Sequence, residues 1–296
     1  MNKLKFLIGC FVSLACVAQS QELKFVKDSL TNKPIPYVNI WVENKLIGTS
    51  SDERGVFSLP IECIGKTIFL SSVGYSTKRT IYNDNIQHIY LKAGATLLRD
   101  VVVTQKRKNQ RRQLGEFKQK NIRHYFSCSG FPYIIGKFFP YSEDHANMYL
   151  DKIAVFTWSQ VKQAKLNIKL YTKDEADFKS ILDENLIVTT NSGSDLTWIN
   201  VADKNIEMPK TGILIGVEFL IIESNKREFK YSMEGKKELL TGINYEPKVG
   251  TIPKESNENS WQFSNGKWIK SPRSASRLPE YHDKFTEPAI KISLSN

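Results

Sequence analysis

The sequence predicts an all-β chain, two antiparallel β-sandwiches set behind a signal peptide, and three observations predict it. Short runs from Leu23 onward alternate apolar and polar residues with a period of two. Turn residues, not helical periodicity, separate those runs. The first twenty residues have the order basic, apolar, small that marks an export signal. At 296 residues the chain can bury two cores of ordinary size, and 41% hydrophobic with 25% charged residues is a globular composition.

Lys3 and Lys5 form the basic region, Phe6 to Val17 the apolar run, and Ala18-Gln19-Ser20 the cleavage pattern, so residues 1–20 are assigned as signal peptide. Leu14-Ala15-Cys16 offers lipid anchoring at Cys16 as the alternative, although Ser13 stands where a large aliphatic residue is usual. Export makes nucleic acid an unsuitable partner for the net charge of +11; an anionic envelope surface or polysaccharide answers the same field. With Cys10 and Cys16 in the signal, Cys63 and Cys128 are left either to pair in an oxidising compartment or to stay as buried thiols.

The first sandwich is placed at residues 21–104. Val38, Ile40 and Val42 alternate with Tyr37, Asn39, Trp41 and Glu43, which puts the first set in a core and the second toward solvent. Pro34 and Pro36 stand at the entrance of that strand, where a missing N–H costs little. Asp52-Glu53-Arg54-Gly55 makes a turn, with Gly55 at positive φ, before Val56 and Phe57 resume the alternation. Lys66 to Tyr82 and His88 to Gly94 supply further strands, divided by Asn83-Asp84-Asn85.

Three stretches, Asp28 with Pro34 to Ile40, Gly48 to Phe57, and Ser72-Val73-Gly74-Tyr75, resemble the carboxypeptidase-D regulatory-like domain, a transthyretin-like β-sandwich. The resemblance implies an accessory domain of the Gram-negative envelope, not a catalyst. Leu97 to Thr104 is similar to the junction that follows this domain in TonB-dependent receptors, but the remaining residues are far too few for a plug and a barrel of about 22 strands.

Residues 105–125 concentrate Lys106, Arg107, Lys108, Arg111, Arg112, Lys118, Lys120 and Arg123 against one acid, Glu116, and are expected to be a solvated basic linker able to touch an anionic membrane surface or glycan. Residues 126–296 then repeat strand-like runs, read as a jelly-roll-like sandwich. Asn265-Gly266 is a two-residue type I′ hairpin signal that sets Phe263 opposite Trp268 with Trp261 on their face. Those three side chains are the candidate ligand-binding residues; the competing expectation is that the same face closes the core.

There is no HExxH, GxSxG or Walker sequence, and His88, His124, His145 and His282 have no partner at ligand spacing. No catalytic residue, metal or cofactor is therefore assigned. The functional expectation is a non-enzymatic exported protein, in the periplasm or at the outer membrane, that binds or scaffolds an envelope polysaccharide or protein. A hydrolase acting on envelope glycans through the second sandwich is the alternative.

Overall fold

The structure is a computed structural model that describes residues 23–94, 110–175, 177–233, 235 and 238–296. Residues 1–20, assigned above as signal peptide with Cys16 among them, the Leu97 to Thr104 segment and residues 105–109 of the basic stretch lie outside the described residues. Among the described residues, regular structure consists of strands and short 3-10 turns, as expected for an all-β chain.

The first sandwich holds β1 (Lys24–Asp28), β2 (Asn39–Val42), β3 (Gly48–Ser50), β4 (Val56–Phe57), β5 (Thr67–Ser71), β6 (Lys78–Ile81) and β7 (His88–Leu91). Its sheets run β4-β1-β7 and β3-β2-β5-β6. One pair departs from the antiparallel expectation, because β7 returns alongside β1 in parallel after the chain has crossed to the other sheet and back. Val26, Val38, Ile40, Val42, Leu70 and Leu91 close the core between the sheets. The Asp52 turn forms as its residues dictate: the Asp52 carboxylate accepts from the Arg54 and Val56 amides, each at 2.8 Å, and Gly55 has φ +73°.

The second sandwich contains β8 (Arg111–Leu114), β9 (Tyr125–Cys128), β10 (Ile134–Phe139), β11 (Tyr149–Ser159), β12 (Lys165–Asp174), β13 (Asp177–Ser180), β14 (Leu186–Thr189) and β15 (Gly193–Asn200). Its later strands are β16 (Ile213–Phe219), β17 (Lys226–Tyr231), β18 (Leu240–Lys254), β19 (Ser260–Ser264), β20 (Lys267–Lys270), β21 (Phe285–Pro288) and β22 (Ile290–Ser295). One sheet runs β13-β12-β16-β10-β19-β20, with β14 also on β12; the other runs β17-β18-β11-β22-β8. Alternate residues of both sheets, among them Ile135, Ile153, Val155, Ile168, Val217 and Ile292, fill the space between them.

Two expectations fail here. Much of the connector proposed for 105–125 is built into the second sandwich instead: β8 pairs with β22, Leu114 packs on the core, and Ile122 is buried beside Phe156. The apolar residues spaced among the cations make those contacts while the charged ends stay outside. The solvent face assigned to β2 is not solvated either. Tyr37, Asn39 and Trp41 are all buried, Trp41 against the ring of Phe69 and the other two against the second sandwich.

Cys63 and Cys128 are both free, one in each core. Desolvation raises both thiols, Cys128 to about 11, which removes thiolate reactivity at neutral pH.

Candidate functional site

Strand parity organises the outer face of the seven-stranded sheet. β12, β16 and β10 run in unbroken register, so Asn167, Glu218 and Ile134 form one cross-strand row. Lys169, Gly216 and Gly136 form the next, and Tyr171, Leu214 and Phe138 the third. β19 and β20 extend the first row through Phe263 to Trp268 and the second through Trp261 to Lys270. The Asn265-Gly266 hairpin therefore has the register read from the sequence, and both turn residues take positive φ, at 51° and 77°.

At one end this face is docked to the first sandwich. Glu218, 2% exposed, takes a bond from Asn39 Nδ2 of the first sandwich at 2.9 Å and one from Asn167 Nδ2 at 2.8 Å. Lys169 Nζ lies 3.2 Å from the same carboxylate. Asn185 accepts from Asn167 and donates to the Pro36 carbonyl, which ties the network to the first sandwich a second time. A burial this deep of a charged pair costs several kcal/mol per ion unless its remaining lone pairs are satisfied, and here two amide donors satisfy them.

The docking is backed by backbone and by packing. The Ser50 amide donates to the Ile221 carbonyl at 3.1 Å, and the Ile221 amide donates to Ser50 Oγ at 3.1 Å. Tyr37, Leu220, Ile222 and Ile187 make an apolar cluster across the junction. At its edge Glu53 of the Asp52 turn meets Lys165 and Tyr37, and these partners hold its carboxyl below the usual carboxylate range. Gly48 and Gly74 are required by closeness: a Cβ on Gly48 would overlap Pro132, and one on Gly74, which has φ +80°, would stand 2.6 Å from the Asp183 carbonyl.

Toward the hairpin, the same face carries aromatic rings. Trp268 packs edge-on to Tyr171 at 5.1 Å and to Phe178 at 5.3 Å, and tilted on Phe263 at 5.3 Å. Trp261 packs edge-on to Phe178 at 4.9 Å, with Lys270 Nζ 4.0 Å above its ring. All three predicted residues are half-buried. They are brought together as expected, yet they close no core: the core lies on the other side of the sheet. Gly136 makes room for them, since a Cβ there would come within 3.2 Å of Trp268. The buried Trp261 Nε1 has no hydrogen-bond partner. Sequence reasoning missed Tyr171 and Phe178 as members of this group; β12 shows the alternation that places Tyr171, whereas the short β13 has no signal strong enough to place Phe178.

The other tryptophans follow different rules. Trp158 is half-buried under Lys248 Nζ at 4.9 Å, and Trp198 of β15, paired with Ala154 of β11, is 49% exposed. Of the histidines, His145 is buried, His88 and His124 are half-buried and His282 is exposed. No group of three or more His, Cys, Asp or Glu side chains suited to a metal occurs among the described residues.

A cavity of about 590 Å³ opens between residues 116–123, the end of β18 and Tyr281. Two carboxylates, Glu116 and Glu280, stand at it, both on exposed residues.

Residues 25–103 match the family model of the CarboxypepD_reg-like domain, so the first sandwich is a carboxypeptidase-regulatory-like domain. No curated protein matches the chain. Among solved structures, the cysteine protease and lectin-like domains of Cwp84, a surface layer associated protein of Clostridium difficile, match with 13% identity and a TM-score of 0.33 over 56% of this chain. The chain spans 32% of that structure. The clostridial cysteine protease Cwp84 after propeptide cleavage matches with 11% identity and a TM-score of 0.40, over 93% of this chain and 70% of its own. Both likenesses are too remote to transfer an activity.

Proposed function

We propose that the protein is an exported, non-enzymatic binding protein of the cell envelope, in which the docked regulatory-like domain supports a second sandwich that holds a polysaccharide on its aromatic face. The observation that carries this reading is the half-buried ring group of Trp261, Phe263, Trp268, Tyr171 and Phe178, beside Lys270 on the open part of an otherwise docked sheet. Rings held by one another lose little conformational freedom on binding. The non-catalytic character of the matched domain family supports the same reading.

A glycan array probed with the mature protein tests it. Retention of one polysaccharide class, lost in Trp261→Ala while the protein still melts cooperatively, is the expected result. Retention of none, or retention indifferent to that substitution, overturns it. Release of reducing ends during incubation would instead favour the hydrolase.

A further inference from the structure

We propose that the cavity beneath residues 116–123 is a second binding site, and that it takes an anionic sugar, a pyranose ring carrying a carboxylate or phosphate. Three cations, Lys118, Lys120 and Arg123, line it within one short segment of chain. Lys291 Nζ lies 4.5 Å above the ring of Phe117, one of the lining residues. Phe117, Ile122 and Ile252 give the cavity an apolar side, and all three belong to one packed cluster. The size suits a ligand of one to three rings.

The combination distinguishes an acidic sugar from other anions. Clustered cations alone would also attract an anionic lipid surface, and the apolar wall beside them is what favours a sugar. An apolar wall suits the hydrophobic face of a pyranose, and the Glu116 and Glu280 carboxylates can only accept, which fits neutral hydroxyls elsewhere on the ring. The site is also preorganised. β8 pairs with β22 on one side of the segment, the Asn121 and Ile122 amides close a 3-10 turn within it, and the Arg123 amide reaches the buried Tyr281 hydroxyl at 3.4 Å. For its ligand class this inference rests on the glycan reading above, while the cavity itself shares no residue with the hairpin.

Calorimetric titration of the mature protein with trigalacturonate, mannose 6-phosphate, neutral maltotriose and phosphatidylglycerol vesicles tests it. Saturable one-to-one binding of trigalacturonate or mannose 6-phosphate is expected, and whichever binds more tightly names the acid group. Binding should weaken about tenfold between about 50 and about 200 mM salt. The exposed triple variant Lys118→Gln, Lys120→Gln, Arg123→Gln should lose at least about tenfold in affinity with its melting transition unchanged. Trp261→Ala should bind trigalacturonate as the parent does. Equal binding of maltotriose, undiminished binding by the triple variant, binding of vesicles alone, or loss in Trp261→Ala would each overturn the cavity as the site. The last of these leaves the hairpin reading standing, whereas loss of array binding in Trp261→Ala with the cavity still active separates the two sites.

Discussion

The two ends of one sheet face are used in opposite ways. Around Glu218 the outer face of the seven-stranded sheet is sealed by the regulatory-like domain through a buried charge with all its partners present. Toward Trp268 the same face carries rings that pack on one another and stay half open. The difference lies in what each row demands. A buried carboxylate has no stable alternative to its amide and ammonium partners, so that end must be covered in one register. Rings can satisfy one another pairwise and tolerate an uncovered face. A polar lock gives geometry and an aromatic shelf gives contact area, and a binding module needs both.

The largest effect is expected from removing the lock. Glu218→Ala should lower stability by about 3 to 5 kcal/mol, because Lys169 would be left buried and uncompensated. Chemical denaturation measures it, and a loss under about 1 kcal/mol would mean that the junction opens to water. Replacing Glu218 and Lys169 together by Met should recover only part of that loss, since no unpaired charge then remains but the buried Asn39 amide loses its acceptor.

Gly48→Ala probes the same junction without touching its charges. The added methyl has no room against Pro132 and the Ile40 carbonyl, and overpacking of this kind costs about 1 to 3 kcal/mol. If docking is as tight as the hydrogen bonds at Ser50 indicate, limited proteolysis of this variant should release the first sandwich sooner than in the parent.

At the open end, Trp268→Ala should cost about 2 kcal/mol, between the 3 to 5 of a core ring and the near zero of a free one. A core-sized loss would show that the shelf is structural, and no loss would show that the rings do not hold one another.

The smallest effect sharpens the comparison from a third place. Glu246 is 1% exposed, as buried as Glu218, but both carboxylate oxygens are without a hydrogen-bond partner and Arg227 stands 3.8 Å away. Burial raises its carboxyl above the ordinary value despite the opposing pull of Lys248 and Arg227. Between the unfolded value near 4.5 and the raised folded value the native state holds the extra proton, so stability falls as pH rises through that window. Glu246→Gln should therefore be more stable than the parent at pH 7, by about 1 kcal/mol, with the gain fading as pH drops to 4.5. Melting curves across that range check it; a destabilised variant at pH 7 would mean that the Arg227 pair outweighs desolvation.

Much of the architecture was legible because it depends on short-range rules. Strand-like apolar runs marked β10, β11, β12, β16 and β22, and Asn265-Gly266 marked the hairpin to the residue. The longest strand, β18, was not legible, because Gly242, Pro247, Gly250 and Pro253 read locally as breaks. Only its pairing with β17, β11, β9 and β21 holds it extended. The 105–125 stretch misled for the complementary reason: its charge density dominates any local reading, while Leu114, Phe117 and Ile122 find their apolar partners only in the folded chain.

The candidate site divides along the same line. Period two and turn chemistry place Trp261, Phe263 and Trp268 on one face of a hairpin, because a strand alternates whatever surrounds it. Whether that face looks into a core, into solvent or against another sandwich depends on residues far apart in the chain. Asn39 reaches Glu218 across 179 positions, and no local pattern encodes such a partner. Local sterics and hydrogen-bond chemistry thus set the strands, the turns and the grouping of side chains by face. Which faces became core, junction, shelf or cavity was decided only when the two sandwiches packed, since burial is a property of the neighbours that the fold supplies.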